Sequence, residues 1–499
     1  MTTANAPADD IAALAKGGRT NVLGFALRLA ARVPFLFVAG RLYGAETVGK
    51  FALAVVAVEL AALVATLGMK RGLAQALSTT ERPHAHVAWD ALVVALFASI
   101  IASMLLFSFP QIMYRGAVPS GVAFWMPAII VAIAWSDISL AALAYRHNLR
   151  ATVTARAVIE PWTISLASVP LWYVDPASGL EIAYMLSMLA AVVASLIPFL
   201  RSYGVPVGWK PRLATIAGLA WQNVPLAGAD AIEWATRNVD RFILGQLFPP
   251  AIVGIYYMAQ QIASLPGRLK TSFDPILGPV ITQRLAMGDR AAVAAQVRQV
   301  GFWILAAQGG LALMGSIPGK AVMGTIGPQF VYGTAALAFL LTAEVLAATA
   351  STCESALVYV ARHWNLLISG VMLGVQVALS FALIYLMRGW GWPDNYQAAG
   401  PAIALMLSLA LTSLIKAWLL GRLLGASVSG WRWQLAVAAG VAIVVGSVFT
   451  ALPQSLEWAE LVFGLPAIVA SYLFVIWRLA FGPEDRALFA QKPKTGVRV

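Results

Sequence analysis

Arginines set into apolar stretches are the residues of this chain whose types and spacing could do chemistry. Arg28 and Arg32 lie four residues apart, and therefore on one face of a helix, with no acid in their own stretch. Asp230, Glu233, Arg237, Asp240 and Arg241 fall within an arc of about 100° when wound at the helical 100° per residue, while Ile232, Val239, Phe242 and Ile243 lie on the other side. Gln260, Gln261, Ser264, Arg268, Thr271 and Asp274 fall within about 140°, and Lys270 falls off that face. A Lys, Arg or Asp at the centre of a membrane helix costs about 2.5–3.5 kcal/mol. Such groups persist where they face a polar cavity or one another. A guanidinium keeps its charge when desolvated, and its fork matches phosphate oxygens two at a time. The chemistry expected of Arg28, Arg32, Arg237, Arg241 and Arg268 is therefore the grip of a large anion. The diphosphate of a lipid carrier is the anion that must cross a bilayer, and its polyprenyl tail can stay in lipid between helices.

The acids admit more than one role, plain helix–helix hydrogen bonding by Glu59, Asp137, Glu160 and Glu344 among them. Glu59, Asp137, Asp230, Glu233, Asp240, Asp274 and Glu344 are candidates for ion coupling or for counter-ion duty, and Glu160 is open in the same way. Glu233 and Arg237 are spaced for an i,i+4 pair, and Glu59 could neutralise one of the first two arginines. Other chemistries find no residues. Cys353 is the single cysteine, which excludes an internal disulfide and a cysteine metal cluster. His84 and His86 have no convincing third ligand. Gly319-Lys320 lacks the upstream glycine and the following Ser or Thr of a phosphate-binding loop. No cofactor or metal is expected.

The elements that carry these residues follow from composition. The chain has 499 residues, is 60% hydrophobic and 11% charged, and has a mean hydropathy of +0.79. A soluble domain has about 25% charged residues. Apolar windows of roughly 20 residues, enough to span a hydrocarbon core of about 30 Å, recur along the chain. The fold expected is an all-α polytopic membrane protein with about 14 spans. The spans run near 20–40, 48–68, 87–109, 121–143, 157–174, 180–200, 217–246, 251–282, 299–317, 331–357, 366–387, 399–420, 434–452 and 460–480. Met1–Lys16 has neither the basic start nor the apolar core of a cleavable signal.

The formal charge of +12 would suggest nucleic acid in a soluble protein. Here it is topological. With the N-terminus inside, only Arg41, Lys50, Arg115, Lys320 and Arg388 fall in outer loops, against most of the remaining Lys and Arg in inner loops and tails. Cytoplasmic loops carry that excess, so both termini are expected inside and no nucleic-acid partner is needed. Anionic headgroups of membrane lipids meet the inner charges. Trp390 and Trp392 are expected to anchor an outer interface.

The segment Arg41–Ala54 aligns with Gln246–Ala259 at an offset of 205, with Leu42/Leu247, Val48/Val253, Gly49/Gly254 and Ala54/Ala259 identical. Each copy is an outer turn joining an odd span to the next. A period of six spans inserts both halves in one sense and implies two six-helix lobes about an axis along the membrane normal, with a site between them. The expected division is a tail 1–19, an N-lobe 20–205, a C-lobe 206–425, two further spans in 426–480, and a tail 481–499. At the same offset Arg32 coincides with Arg237.

Several strings resemble a known family. They are Gly40–Ala54 and Thr66-Leu-Gly-Met-Lys-Arg-Gly72 in the first half. In the second half they are Asn223-Val-Pro-Leu226, Arg237–Gly245, Val253-Gly-Ile-Tyr-Tyr257 and Pro279–Leu285. In order, they resemble the polysaccharide (O-antigen and exopolysaccharide) flippases of the multidrug/oligosaccharidyl-lipid/polysaccharide exporter superfamily. The resemblance implies a V-shaped pair of lobes and a non-enzymatic alternating-access carrier of undecaprenyl-diphosphate-linked oligosaccharide in the bacterial inner membrane. It also implies a diphosphate held by basic residues of the first, seventh and eighth spans, and work beside a polysaccharide polymerase. The dense acidity of the seventh span departs from the family pattern. Within the same superfamily a lipid II flippase differs only in cargo, and a drug or cation antiporter would want an acid-dominated cavity. A glycan polymerase or ligase would need a large outer loop with catalytic Arg or His, and the outer loops here are short and hold no histidine.

Overall fold

Lipid offers no partner to a free backbone N–H or C=O, so a chain this apolar satisfies its peptide groups within helices. The computed structural model describes residues 33–114, 116, 120–267, 274–453 and 456–486, and the described residues contain no strand. In chain order the helices are α1 (33–43), α2 (Gly44–Ala65), α3 (Met69–Thr79), α4 (His84–Ser108), α5 (Ile129–Tyr145), α6 (149–174) and α7 (Gly179–Tyr203). The second half continues with α8 (Leu213–Leu247), α9 (Pro250–Gly267), α10 (Asp274–Ala286), α11 (Arg290–Ser316), α12 (Gly319–Ile326), α13 (Thr334–Val360), α14 (Arg362–Gly389) and α15 (Gly400–Leu424). The chain closes with α16 (Trp433–Thr450) and α17 (460–480).

Each expected span overlies helix as far as the described residues reach. Among those residues nine helical stretches are long and apolar enough to cross a membrane, or ten if α11 and α12, bent by 71°, count as one. Helices α6, α8 and α9 are outside that set; the first two carry charges and the third has a polar face. The eighth expected span takes in α9 and, beyond residues that are not described, α10, and α8 starts four residues earlier than hydropathy places it. No loop separates the first two spans. Gly44, at φ 77°, turns α1 directly into α2, a left-handed angle that only glycine adopts without strain.

The internal repeat is a physical contact. A Cβ on Gly49 would lie 1.7 Å from the Pro250 carbonyl oxygen, and a Cβ on Gly254 would lie 2.0 Å from that of Ala45. Residues 45 and 250, like 49 and 254, are equivalent at the offset of 205, so each turn seats its glycine on the same position of the other. Such reciprocal contact is what a two-fold relation produces. Beside it Phe51 meets Phe35, Tyr184 and Tyr257 at ring-centroid distances of 5.9, 5.9 and 6.2 Å. Arg41 Nε donates to Thr325 O at 3.0 Å, tying the first turn to α12. The two halves are thus sealed together at the end that carries these turns.

At the opposite end they part. The first turns of α8 pack through Ile216, Leu219 and Ala220 on a core built from α3, α4, α5, α6 and α7. Further along, α8 packs on α14 and α15. Helices α16 and α17 pack on each other and on α11.

Candidate functional site

Helix α8 passes from one half's core to the other's, and a chamber of about 1600 Å³ opens along its polar side. Its walls are α2, α3, α8, α9, α13, α14 and α15, and no lining residue comes from the two sealed turns. Exposed Thr79, Gln222, Tyr359, Arg362 and His363 mark its mouth. The mouth lies at the end that carries Arg71, opposite the sealed one.

Among the described residues the lining holds five cations, Arg71, Arg237, Arg241, Arg362 and Lys416, and four acids, Glu59, Glu233, Glu344 and Glu354. Most are paired. Arg71 reaches Asp230 Oδ1 with Nε at 2.7 Å and Glu233 Oε2 with Nη2 at 2.5 Å. Arg237 Nη1 donates to Glu344 Oε1 at 2.6 Å. Lys416, almost fully buried, lies 3.3 Å from Glu354 Oε2 and 3.0 Å from Ser369 Oγ. The expected Glu233–Arg237 pair is not formed. Each finds a partner on a facing helix, where α8 abuts α3 and α13, in place of its neighbour one turn along.

Arg241 is different. It is 4% exposed and lines the chamber, yet no carboxylate lies within ion-pair distance among the described residues. One amino group donates to Asn238 Oδ1, its Nε has no partner, and its carbon centre sits 5.4 Å from the Tyr257 ring. A buried cation without an ion pair is costly.

The polar stripe on α8 therefore divides. Glu233, Arg237 and Arg241 line the chamber. Asp230 is buried against Arg71. Asp240 is fully buried on the α9 side, where it accepts from Tyr256 Oη at 2.6 Å and from Gln260 Nε2 at 3.2 Å. Glu59 lines the chamber and accepts from Tyr184 Oη at 3.4 Å. Asp137 sits away from it, held by Arg156 and, at 3.3 Å, by Lys70, and Arg156 also takes Glu160 at 2.8 Å. Arg28, Arg32 and Arg268 lie outside the described residues, and of Asp274 only its place in α10 is described. His84 lies edge-on to Tyr145, and His86 Nε2 is 3.2 Å from Val207 O. No cluster able to hold a metal ion occurs among the described residues.

Sequence reasoning passed over Arg71, Glu354 and Lys416. Arg71 reads as one more inner-loop charge, although it lies within the Thr66–Gly72 string. Lys416 was a lone cation in an apolar span, a signal as strong as that of Arg241 by cost alone.

A family model described as "Polysaccharide biosynthesis protein" matches residues 22–283. Among solved structures, the chain is similar to the lipid II flippase MurJ in an inward closed conformation, with a TM-score of 0.72 at 11% identity over 91% of this chain and 98% of that one. It is also similar to a multidrug resistance MATE family transporter of the MOP superfamily. The inward-facing form gives a TM-score of 0.62 at 12% identity over 80% of this chain and 95% of that one. The outward-facing form gives 0.57 at 13% identity over 85% and 99%. At these identities the likeness is one of fold. No curated protein sequence matches the chain.

Proposed function

The chain belongs to the polysaccharide biosynthesis protein family, and from that premise we propose that it is a flippase. Its cargo is undecaprenyl-diphosphate-linked oligosaccharide, carried across the bacterial inner membrane for lipopolysaccharide, O-antigen or exopolysaccharide assembly. The observation that carries this reading is the chamber of about 1600 Å³, with Arg237 and Arg241 set in its wall. Phosphate is the anion that guanidinium forks hold best. The diphosphate docks on Arg237 and Arg241, with Arg28, Arg32 and Arg268 completing the site. The lobes 20–205 and 206–425 rock about their common axis, with 426–480 as accessory spans and 1–19 and 481–499 as tails. Both termini are cytoplasmic, and the chamber faces the cytoplasm. No bond is made or broken by the protein. An inside-negative potential of 100 mV favours outward movement of an anion by about 2.3 kcal/mol per charge, and consumption of the product outside, as by a polymerase, supplies the remaining drive. Glu59, Asp137, Asp230, Glu233, Asp240, Asp274 and Glu344 are the groups through which an ion could couple.

A lipid II cargo shares the diphosphate and the polyprenyl tail and differs in the sugar. Deleting the gene and identifying the lipid-linked oligosaccharide that accumulates on the cytoplasmic leaflet separates the two. An accumulated polysaccharide repeat unit supports the proposal. Accumulated lipid II supports the alternative, and no accumulation of either removes both.

A further inference from the structure

On α8 the chamber's charges stand one turn apart. Asp230 and Glu233 hold Arg71, Arg237 follows four residues after Glu233, and Arg241 four after that. At 1.5 Å per residue each step is about 6 Å. The steps run from the mouth inward, and the carboxylates thin out along them. Arg71 has two, Arg237 has one, and Arg241 has none among the described residues. Arg71 and Arg237 are half-exposed and Arg241 is buried. Along α8 an anion would therefore meet first a guanidinium held by two acids and last the one without an ion pair; Arg362, exposed at the same mouth, stands outside this row.

The outermost pairing is loosely made. Asp230 is nine-tenths buried, yet neither of its oxygens has a hydrogen-bond donor, because the Arg71 Nε contact at 2.7 Å is out of line. A buried carboxylate satisfied only by proximity to a cation is a weak holder. Its surroundings are tight, however. A Cβ on Gly72 would lie 1.6 Å from Asn223 Oδ1, and one on Gly68 would lie 2.5 Å from Asn223 O. Helix α3 is thus pressed on α8 just ahead of the pair, and Lys70, the residue before Arg71, reaches the other way to Asp137 on α5. The Lys70-Arg71 dipeptide joins the first half's charge network to α8.

We infer that Arg71 is a guarded entry site for the phosphate headgroup. Asp230 and Glu233 are stand-in ligands that the headgroup displaces, releasing α3 from α8 as the anion steps inward to Arg237 and then Arg241. A phosphate group brings more charge and more acceptor oxygens than a carboxylate and can take the fork from it. The inference rests on the flippase reading and adds to it a residue, an order of events and a link between binding and the seam of α3 with α8.

The test uses the full chain in detergent and measures binding of undecaprenyl diphosphate. Arg71→Ala weakens binding about tenfold, whereas Asp230→Asn with Glu233→Gln tightens it by a similar factor. The opposite signs are the signature. A purely structural pair would give the two variants one common sign or no change, and either result overturns the entry site. If that happens while Arg241→Ala still abolishes binding, the flippase reading stands. If the wild type binds no undecaprenyl diphosphate, both fall. Should Arg71→Ala fail to fold, the acid-neutralised variant carries the test alone, because loss of fold cannot tighten binding.

Discussion

Arg241 carries the clearest conflict between stability and use. A buried guanidinium with an unpaired Nε and no carboxylate within ion-pair distance among the described residues is costly to keep. Replacing such a group by an apolar one of similar length is neutral or stabilising. Arg241→Met is therefore expected to raise the thermal midpoint in detergent, by the equivalent of about 1 kcal/mol, while translocation falls at least about tenfold. A variant that loses stability along with transport would mark Arg241 as a packing residue. Glu344 makes the complementary case. It holds Arg237 at 2.6 Å, so Glu344→Gln frees a cation in the chamber wall. Headgroup binding should tighten several-fold, and turnover should slow because release becomes harder. Unchanged affinity with an altered dependence on sodium or pH would assign Glu344 to ion coupling.

At the scale of elements, the molecule depends on two glycine-tight seams, one at each end. The first seam is the reciprocal contact of Gly49 with Pro250 and of Gly254 with Ala45. Both contacts are to backbone carbonyls, which cannot swing aside as a side chain can. Gly49→Val and Gly254→Val should each destabilise by about 3 kcal/mol, the upper end for overpacking, and by similar amounts because the repeat makes them equivalent. Thermal unfolding in detergent measures this, and a marked asymmetry would argue against a two-fold seam. Helix α8 itself is built to bridge. Pro225 sits inside it and removes one backbone hydrogen bond, and Gly228 meets nothing nearby. The helix nonetheless runs unbroken from Leu213 to Leu247. The repeat and the polar stripe on α8 were legible in the residues, because both are patterns along one strand of sequence. The seam of α3 on α8 was not, since Gly68, Gly72 and Asn223 lie some 150 positions apart and nothing local in either string names the other.

The whole molecule is closed at the repeat turns and open at the end of Arg71. Cys353 is fully buried, so the natural chain should resist a membrane-impermeant thiol reagent. Thr236→Cys, inside the chamber, should react with a small charged methanethiosulfonate supplied on the side of Arg71 and be protected from the other. Equal reaction from both sides would contradict a chamber with one mouth.

Membrane class, the all-helical fold, the internal repeat and the polar stripe of α8 were legible in the sequence alone. Each depends on hydropathy or helical period within a short window, and lipid leaves the backbone no choice but helix. The partner of each charge was decided only by tertiary structure. Arg71 and Glu233 are 162 residues apart, and Arg237 and Glu344 are 107 apart. A helical stripe says which way a side chain leaves its own axis. Which helix waits on that side, and whether it presents an acid, a tyrosine or an open chamber, follows from packing among many helices at once.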